Sequence, residues 1–170
     1  MADRTVRVVA ALGDDVSTDV IYPGRYMATV LPTETPQFAF ADHADLNARL
    51  RGGQVSAGSV IVAGKNFGCG SSREQACSCL KGHELTIVAK GFARIFLQNS
   101  VNLGLNLVTA PDVEASEGDE LELAPGEVFD RTTGRRFATV PLPAARQAIV
   151  DAGGLIAYTR RRLLEAAGRT

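Results

Sequence analysis

Apolar and polar positions follow two different periods through the middle of the chain. Short, fully apolar runs rich in β-branched residues are typical of strands that are buried on both faces of a parallel sheet. The segments between these runs place apolar residues at helical spacing. The pattern predicts strands and helices in strict alternation, at residues 59–64, 72–82, 84–91, 92–104 and 105–110. Because parallel strands need crossover connections, this order predicts a βαβαβ unit with helices packed against a mostly parallel sheet.

The flanking segments have other patterns. Residues 5–12 are β-rich and end at a Gly-Asp-Asp turn signal, which predicts a first strand. Residues 17–37 contain three prolines and no continuous period, which predicts a long loop with short elements. Residues 119–141 alternate short strand patterns with turns and predict a β-ribbon or small barrel-like patch. Residues 143–168 predict two helices separated by Gly153-Gly154, and the whole chain, residues 1–170, is predicted to form one α/β domain.

Composition narrows the class of protein. With 45% apolar and 22% charged residues and a formal net charge of -1, the chain is typical of a globular protein. The absence of a cationic cluster argues against a nucleic-acid partner. No run reaches the roughly 18 apolar residues of a membrane span, and the start lacks the features of a signal peptide. Three closely spaced cysteines are a poor disulfide framework, so we expect reduced thiols and a cytoplasmic protein.

The segment GKNFGCGSSREQA, residues 64–76, carries the chemistry. It follows a predicted strand, and ligands of α/β sheets bind outside the carboxyl ends of the strands. Gly68 and Gly70 allow the backbone to approach a ligand, and the following helix start offers unpaired N–H groups. Arg73 adds a planar guanidinium suited to a carboxylate or phosphate. These features predict an anion site, although the segment matches neither GxxxxGK[ST] nor GxGxxG.

A purely structural interpretation of the same residues stays open. Ser71 and Glu74 have the spacing of a capping box, which would satisfy the first N–H groups of the helix without any ligand. Other candidates are expected to be structural as well. Cys77-x-Cys79 has no second pair of ligands, so no metal site is predicted in this chain. We expect Cys69 to be a packing residue. His43 and His83 are expected at the surface or in turns, and Arg94 and Asn99 are expected to have structural roles.

Four blocks of the sequence resemble one family. Residues 64–76 closely resemble the signature of the small subunits of 3-isopropylmalate dehydratase and their relatives in the aconitase superfamily. The segment GDDVSTDVIYPGRYM resembles the N-terminal loop of that family, and FARIFLQNSVNLGL and AGGLIAYTRR resemble two later blocks. The blocks stand in family order over nearly the whole chain, and its length is similar to that of the compact, archaeal-type small subunits.

The resemblance implies a fold, an activity and partners. The fold is a swivelling β/β/α domain, here a single aconitase-type domain. The activity is that of a hydro-lyase that isomerises 2-isopropylmalate to 3-isopropylmalate in leucine biosynthesis, by elimination and re-addition of water. The implied partners are a large subunit, which carries a [4Fe–4S] cluster, and a small di- or tricarboxylic acid. No cofactor is expected in this chain, and a homo-oligomer of the isolated chain stays open.

Site residues follow by position. The resemblance implies that Ser71 is the base and that Ser72 and Arg73 bind a substrate carboxylate, Arg73 being counted as catalytic. A serine can act as a base only where nearby charge and dipoles stabilise its alkoxide. The other implied substrate-binding residues lie on two loops expected to face the substrate: Gly70, Thr18, Asp19, Arg25, Tyr26, Met27 and Ala28.

The loop at Met27 and Ala28 bears on the choice of substrate. It carries no charge, and an unmatched substrate carboxylate would be costly to desolvate there. The loop therefore favours an alkyl side group such as that of isopropylmalate. Citramalate, dimethylmalate and homoaconitate-type acids remain alternatives. So does a non-catalytic, anion-binding module.

Overall fold

The computed structural model of the protein describes residues 4–168, with the side chain of residue 4 excepted. Its strands are β1 (Arg4–Ala11), β2 (Val60–Ala63), β3 (Thr86–Ala89), β4 (Asn106–Thr109), β5 (Glu120–Ala124), β6 (Glu127–Asp130) and β7 (Arg136–Ala138). Its α-helices are α1 (Thr18–Ile21), α2 (Ala44–Arg51), α3 (Glu74–Gly82), α4 (Arg94–Leu103), α5 (Ala144–Asp151) and α6 (Leu155–Ala166). Two 3-10 helices lie at Gly24–Tyr26 and Thr35–Phe38. All seven strands belong to one sheet, in the order β4-β3-β2-β1-β5-β6-β7.

The parallel half of the sheet confirms the predicted βαβαβ unit. Strands β1 to β4 pair in parallel, and α3 and α4 are the crossover helices between β2, β3 and β4. Every residue of β2 and β3 is buried, as their uninterrupted apolar runs predict. Alternate residues serve two cores. Ile61 packs in the core that contains residues of α3 and α4, whereas Val60 and Val62 join the core shared with the antiparallel strands.

The antiparallel half confirms the predicted β-ribbon and extends the same sheet. Strands β5, β6 and β7 follow β1 in antiparallel order. The chain after β7 then returns to the opposite edge of the sheet, where the N–H of Val140 donates to the Thr109 carbonyl at 2.8 Å. The sheet is therefore curled, and its two edges meet across this bridge. Together with the helices it confirms the predicted α/β class.

Of the remaining segments, the proline-rich segment and the C-terminal helices agree with their predictions, whereas one helix was not predicted. The proline-rich segment contains only α1 and two short 3-10 helices, as expected. The C-terminal pair α5 and α6 is confirmed, and α6 leaves Ile156 86% exposed. Helix α2 has no counterpart in the predictions. Only Leu46 and Leu50 of its eight residues are buried, so its apolar signal is weak. None of the helices within residues 4–168 is long and apolar enough to cross a membrane.

The start of α3 differs from its prediction. The helix begins at Glu74, two residues later than expected, and Arg73 occupies the N-cap with an extended backbone. No side chain caps the helix, so the predicted capping box of Ser71 and Glu74 is wrong. The physical reason is the late start of the helix, which leaves Ser71 two residues before the N-cap; its hydroxyl lies instead 3.4 Å from the Thr18 hydroxyl, on a segment that is distant in sequence.

Gly68 fixes the distance between the glycine-rich segment and α4. Its backbone is left-handed, with φ of +81°, and a Cβ at this position would lie 2.1 Å from Cγ of Phe96. Phe96 is 2% exposed, and its ring packs edge-on against the buried Phe67 at 5.3 Å. A side chain at residue 68 could be accommodated only by moving α4.

This close approach predicts the effect of Gly68→Ala. The substitution combines backbone strain of about 1–2 kcal/mol with overpacking of about 1–3 kcal/mol. We expect the free energy of unfolding in urea to fall by their sum. Gly134→Ala is the matched control, because φ at Gly134 is +75° and no atom lies within 4 Å of its added Cβ. Equal losses for the two variants would contradict the packing argument.

Candidate active site

Two loops are brought together by an extension of strand pairing. Beyond β1 and β2, the N–H of Asp15 donates to the Lys65 carbonyl at 2.9 Å. The N–H of Thr18 then donates to the Cys69 carbonyl at 2.8 Å. The starts of the TDVIYP segment and of the GCGSSR segment therefore lie side by side at the carboxyl end of the parallel strands, which is the usual ligand edge of such sheets.

Ser71 rests on Thr18. The side chain of Thr18 is 1% exposed, whereas Ser71 is exposed. The Thr18 hydroxyl oxygen lies 3.2 Å from the Ser71 carbonyl oxygen and 3.4 Å from Ser71 Oγ. Gly70, the residue before Ser71, has a left-handed backbone with φ of +93°. A Cβ added at this position would lie 3.4 Å from the Thr18 hydroxyl. An exposed hydroxyl is thus placed over a buried one.

Arg73 lies between the two loops and is paired with Asp19. Its Nη1 forms an ion pair with Asp19 Oδ1 and lies 3.4 Å from the Tyr22 carbonyl oxygen, to which it donates. The hydrogen bond from Arg73 holds the pKa of the Asp19 carboxyl below its usual value. Gly24 leaves the necessary room, because a Cβ there would lie 3.3 Å from Nη2. The Arg73 side chain is 18% exposed, and the contacts of Nη1 with Asp19 and Tyr22 fix the orientation of its guanidinium.

An open depression of about 540 Å³ lies at this loop junction, lined by Met27, Ser71, Ser72, Arg73, Glu74 and Gln75. Four of these residues are predicted site residues, whereas Glu74 and Gln75 were not predicted to belong to the site. Their position could have indicated them, because both lie in the first turn of the helix that follows the Ser-Ser-Arg segment. The structure thereby brings together the predicted base, the carboxylate-binding pair and one residue of the predicted specificity loop.

The other predicted residues surround the depression without lining it. Thr18, Asp19 and Gly70 lie behind Ser71 and Arg73, as described above. Arg25 is engaged elsewhere: its Nη1 donates to Asp42 Oδ2 at 3.0 Å, and its guanidinium lies 4.7 Å from the centre of the Tyr26 ring. Tyr26 stacks on Phe38 at 4.1 Å, and Ala28 is exposed. The expected structural role of Asn99 has a specific form, since its Nδ2 donates to the Ser72 carbonyl at 3.3 Å.

The cysteines and histidines do not assemble a metal centre. Within residues 4–168, no group of three His, Cys, Asp or Glu side chains is placed to hold a metal ion. Burial raises the pKa of the Cys77 thiol to about 12 and that of Cys79 well above its usual value, which disfavours the thiolates that bind metals. His83 Nε2 lies 2.8 Å from the Pro36 carbonyl oxygen, in keeping with the turn role expected of it.

Comparison with known families defines the class of protein. Residues 22–112 match the aconitase C-terminal domain, a span that includes both the Tyr22–Thr29 segment and the Ser71–Arg73 segment. The fold agrees with this class. A crystal structure of a 3-isopropylmalate dehydratase from Methanocaldococcus jannaschii superposes with a TM-score of 0.86 at 34% identity, covering 98% of this chain and all of that one. The predicted aconitase-like fold is confirmed.

Sequence relatives define the family more closely. A 3-isopropylmalate dehydratase small subunit of Methanosarcina mazei is 41% identical over 157 residues, which cover 90% of this chain and 94% of that protein. An isopropylmalate/citramalate isomerase small subunit of M. jannaschii is 41% identical over 158 residues, or 90% and 92% of the two chains. The chain belongs to the family of 3-isopropylmalate dehydratase small subunits.

The different burial of the three thiols predicts their reactivity. Cys77 and Cys79 are fully buried, whereas Cys69 is partly exposed beside the depression. We expect a disulfide reagent such as DTNB to modify one thiol per chain in the native protein at pH 8, and all three after denaturation. A Cys69→Ala variant should lose the native-state reaction. Rapid modification of that variant would contradict the described packing of α3.

Proposed function

We propose that the chain is the small subunit of a hydro-lyase that interconverts 2-isopropylmalate and 3-isopropylmalate in leucine biosynthesis. It would act as one aconitase-type swivel domain on a large subunit that carries a [4Fe–4S] cluster. The observation that carries this proposal is that Ser71, Arg73 and the apolar Met27 line the same depression. The names of the relatives support it. Three free thiols favour a cytoplasmic location.

Arg73 and Ser72 bind one carboxylate of the substrate in this proposal. The ion pair with Asp19 and the contact with the Tyr22 carbonyl both use Nη1 of Arg73. A guanidinium has five N–H donors, so Nη2 and Nε retain donors for a carboxylate. Asp19 then acts on the substrate through Arg73, by fixing the direction in which the guanidinium points.

Ser71 removes the proton in this proposal. Its alkoxide takes a proton from the carbon adjacent to a carboxylate, and the electron pair of the broken C–H bond enters that carboxylate as an aci-carboxylate. The pair then forms the double bond as the neighbouring hydroxyl leaves, so that proton and hydroxyl together account for the water lost. The Thr18 hydroxyl donates to the Ser71 carbonyl at 3.2 Å in the structure, and by rotating its proton to Ser71 Oγ, 3.4 Å away, it would stabilise the alkoxide. Reverse addition to the exchanged carbons completes the isomerisation.

Met27 sets the chemistry of the side-group pocket. It is 37% exposed and lines the depression with an apolar surface, which an alkyl group can cover. Tyr26 and Ala28 extend the same loop, and Arg25 supports it while paired with Asp42. Citramalate is the second candidate substrate, because the M. jannaschii relative is named for both acids. A methyl group in place of isopropyl would leave part of the apolar wall uncovered.

The cluster is assigned to the large subunit because the described residues of this chain do not fit it. In the described part of the chain no three cysteines converge, and Cys77 and Cys79 are buried in α3. The steps proposed for this chain are therefore limited to binding the carboxylate, holding the proton at Ser71 Oγ and excluding water around the alkyl group.

An activity assay tests the proposed function directly. The chain is purified with its large subunit under anaerobic conditions and supplied with isopropylmalate, citramalate, dimethylmalate or homocitrate. We expect turnover of isopropylmalate, and of citramalate at lower kcat/KM. Failure to turn over any of the four acids with an intact cluster would refute the assignment. Tight dicarboxylate binding by the isolated chain, without turnover in the complex, would instead indicate a binding module.

Ser71→Ala tests the base. Loss of a positioned proton acceptor typically lowers kcat by about 10²- to 10⁴-fold, so a loss of this size is expected without a change in complex formation. The exposed Ser116, in the turn before β5, provides the matched control as Ser116→Ala. Near-normal turnover by Ser71→Ala, measured beside that control, would exclude Ser71 as the base.

A further inference from the structure

Tyr22 lies buried beneath the loop that carries Met27. Its side chain is fully buried, and its hydroxyl lies 3.1 Å from the Tyr26 carbonyl oxygen and 3.3 Å from that of Thr29. These two carbonyls stand on either side of Met27 and Ala28. A single buried hydroxyl therefore contacts the loop on both sides of its tip, which consists of Met27 and Ala28.

The same residue is joined to the carboxylate-binding side of the depression. The backbone carbonyl of Tyr22 accepts a hydrogen bond from Arg73 Nη1 at 3.4 Å. Its ring packs edge-on against Phe38, with the ring centres 6.1 Å apart. Tyr22 thus links the loop tip to the arginine through one rigid, buried residue.

Other contacts hold the base of the loop. At its tip, the N–H of Thr29 donates to the Tyr26 carbonyl at 2.9 Å, and two side-chain donors add to this bond. Tyr26 stacks on Phe38, and the N–H of Met27 donates to the Gly24 carbonyl at 3.1 Å. At the tip, Gln75 Nε2 donates to the Met27 carbonyl at the long distance of 3.4 Å. The Tyr22 hydroxyl makes the shorter contact, and burial raises its pKa, so it remains a neutral donor.

We propose that Tyr22 is a positioning residue that fixes Met27 in the wall of the depression and thereby selects the size of the alkyl group. This inference rests on the proposed function. A fixed apolar wall discriminates between side groups by contact, and each methylene in such a pocket is worth about 10- to 200-fold. Without the hydroxyl, the Tyr26 carbonyl keeps its bond from the Thr29 N–H, but the turn loses its hydrogen bonds to the buried core and can move as a unit. The wall then fits the larger group less well.

Tyr22→Phe tests the inference, because it removes the hydroxyl and keeps the ring. The measurement is the ratio of kcat/KM for isopropylmalate to that for citramalate, in the complex with the large subunit. We expect the ratio to fall about five-fold, the value of one hydrogen bond, through a higher KM for isopropylmalate. kcat should change little, since Tyr22 does not touch the reacting atoms.

Ser100→Ala is the matched control. Ser100 is also fully buried, and its hydroxyl donates to Cys77 Sγ at 3.3 Å, away from the loop. Its loss should lower stability without changing the substrate ratio. An unchanged ratio in Tyr22→Phe would overturn the inference. A Tyr22→Phe chain that does not assemble would overturn it too, because the hydroxyl would then serve the fold as a whole.

A double-mutant cycle tests whether Tyr22 acts through Met27. Met27→Ala removes the side chain that Tyr22 is proposed to hold, and should itself lower the ratio. In that background, Tyr22→Phe should have no further effect on the ratio, which is the non-additivity expected of coupled residues. Independent, multiplicative effects would contradict the inference. A wild-type complex inactive on all four acids is a different result, and would refute the proposed function instead.

Discussion

The candidate site depends on parallel backbone pairing that continues past the ends of β1 and β2. After the strands end, hydrogen bonds from Gly64 to Gly13, from Asp15 to Lys65 and from Gly68 to Val16 keep the two segments in step. Glycine makes this continuation possible, since a Cβ at Gly64 would lie 2.0 Å from the Asp14 carboxylate. Each of these hydrogen bonds pairs a backbone N–H with a backbone carbonyl, so that both groups can be buried without the free-energy cost of an unpaired polar group. The chemistry-bearing side chains inherit the rigidity of the sheet.

Local patterns in the sequence predicted the parallel half of the fold because its two central strands, β2 and β3, are buried on both faces. The runs around Ile61 and Ile87 have no polar interruption, and the sheet covers them as that composition requires. Helix α2 was not predicted, because only Leu46 and Leu50 are buried and two apolar positions are too few to establish a helical period. Strands β2, β3 and β4 are also shorter than the apolar runs that predicted them, because backbone hydrogen bonding and not composition decides where a strand ends.

The sequence selected residues for the candidate site but could not predict their contacts. Four of the ten selected residues, Ser71, Ser72, Arg73 and Met27, line one depression, and their roles stay predictions. The partners of Ser71 and Arg73 lie 53 and 54 residues away, and no local rule relates such positions. The capping-box prediction failed for this reason: spacing favoured a local partner for the Ser71 hydroxyl, and the fold supplied Thr18 instead. Distant pairs of this kind are decided by topology.

The balance of charge explains why such a chain would act as half of an active site. Among residues 4–168, Arg73 is the one cation that lines the depression, and Asp19 already neutralises it through their ion pair. Glu74 adds a carboxylate to the lining. A dicarboxylate substrate brings two more negative charges, which a site with this balance cannot concentrate alone. In the proposed enzyme the large subunit must therefore present a positive surface to the substrate, while this chain contributes direction, a proton acceptor and the fit of the alkyl group.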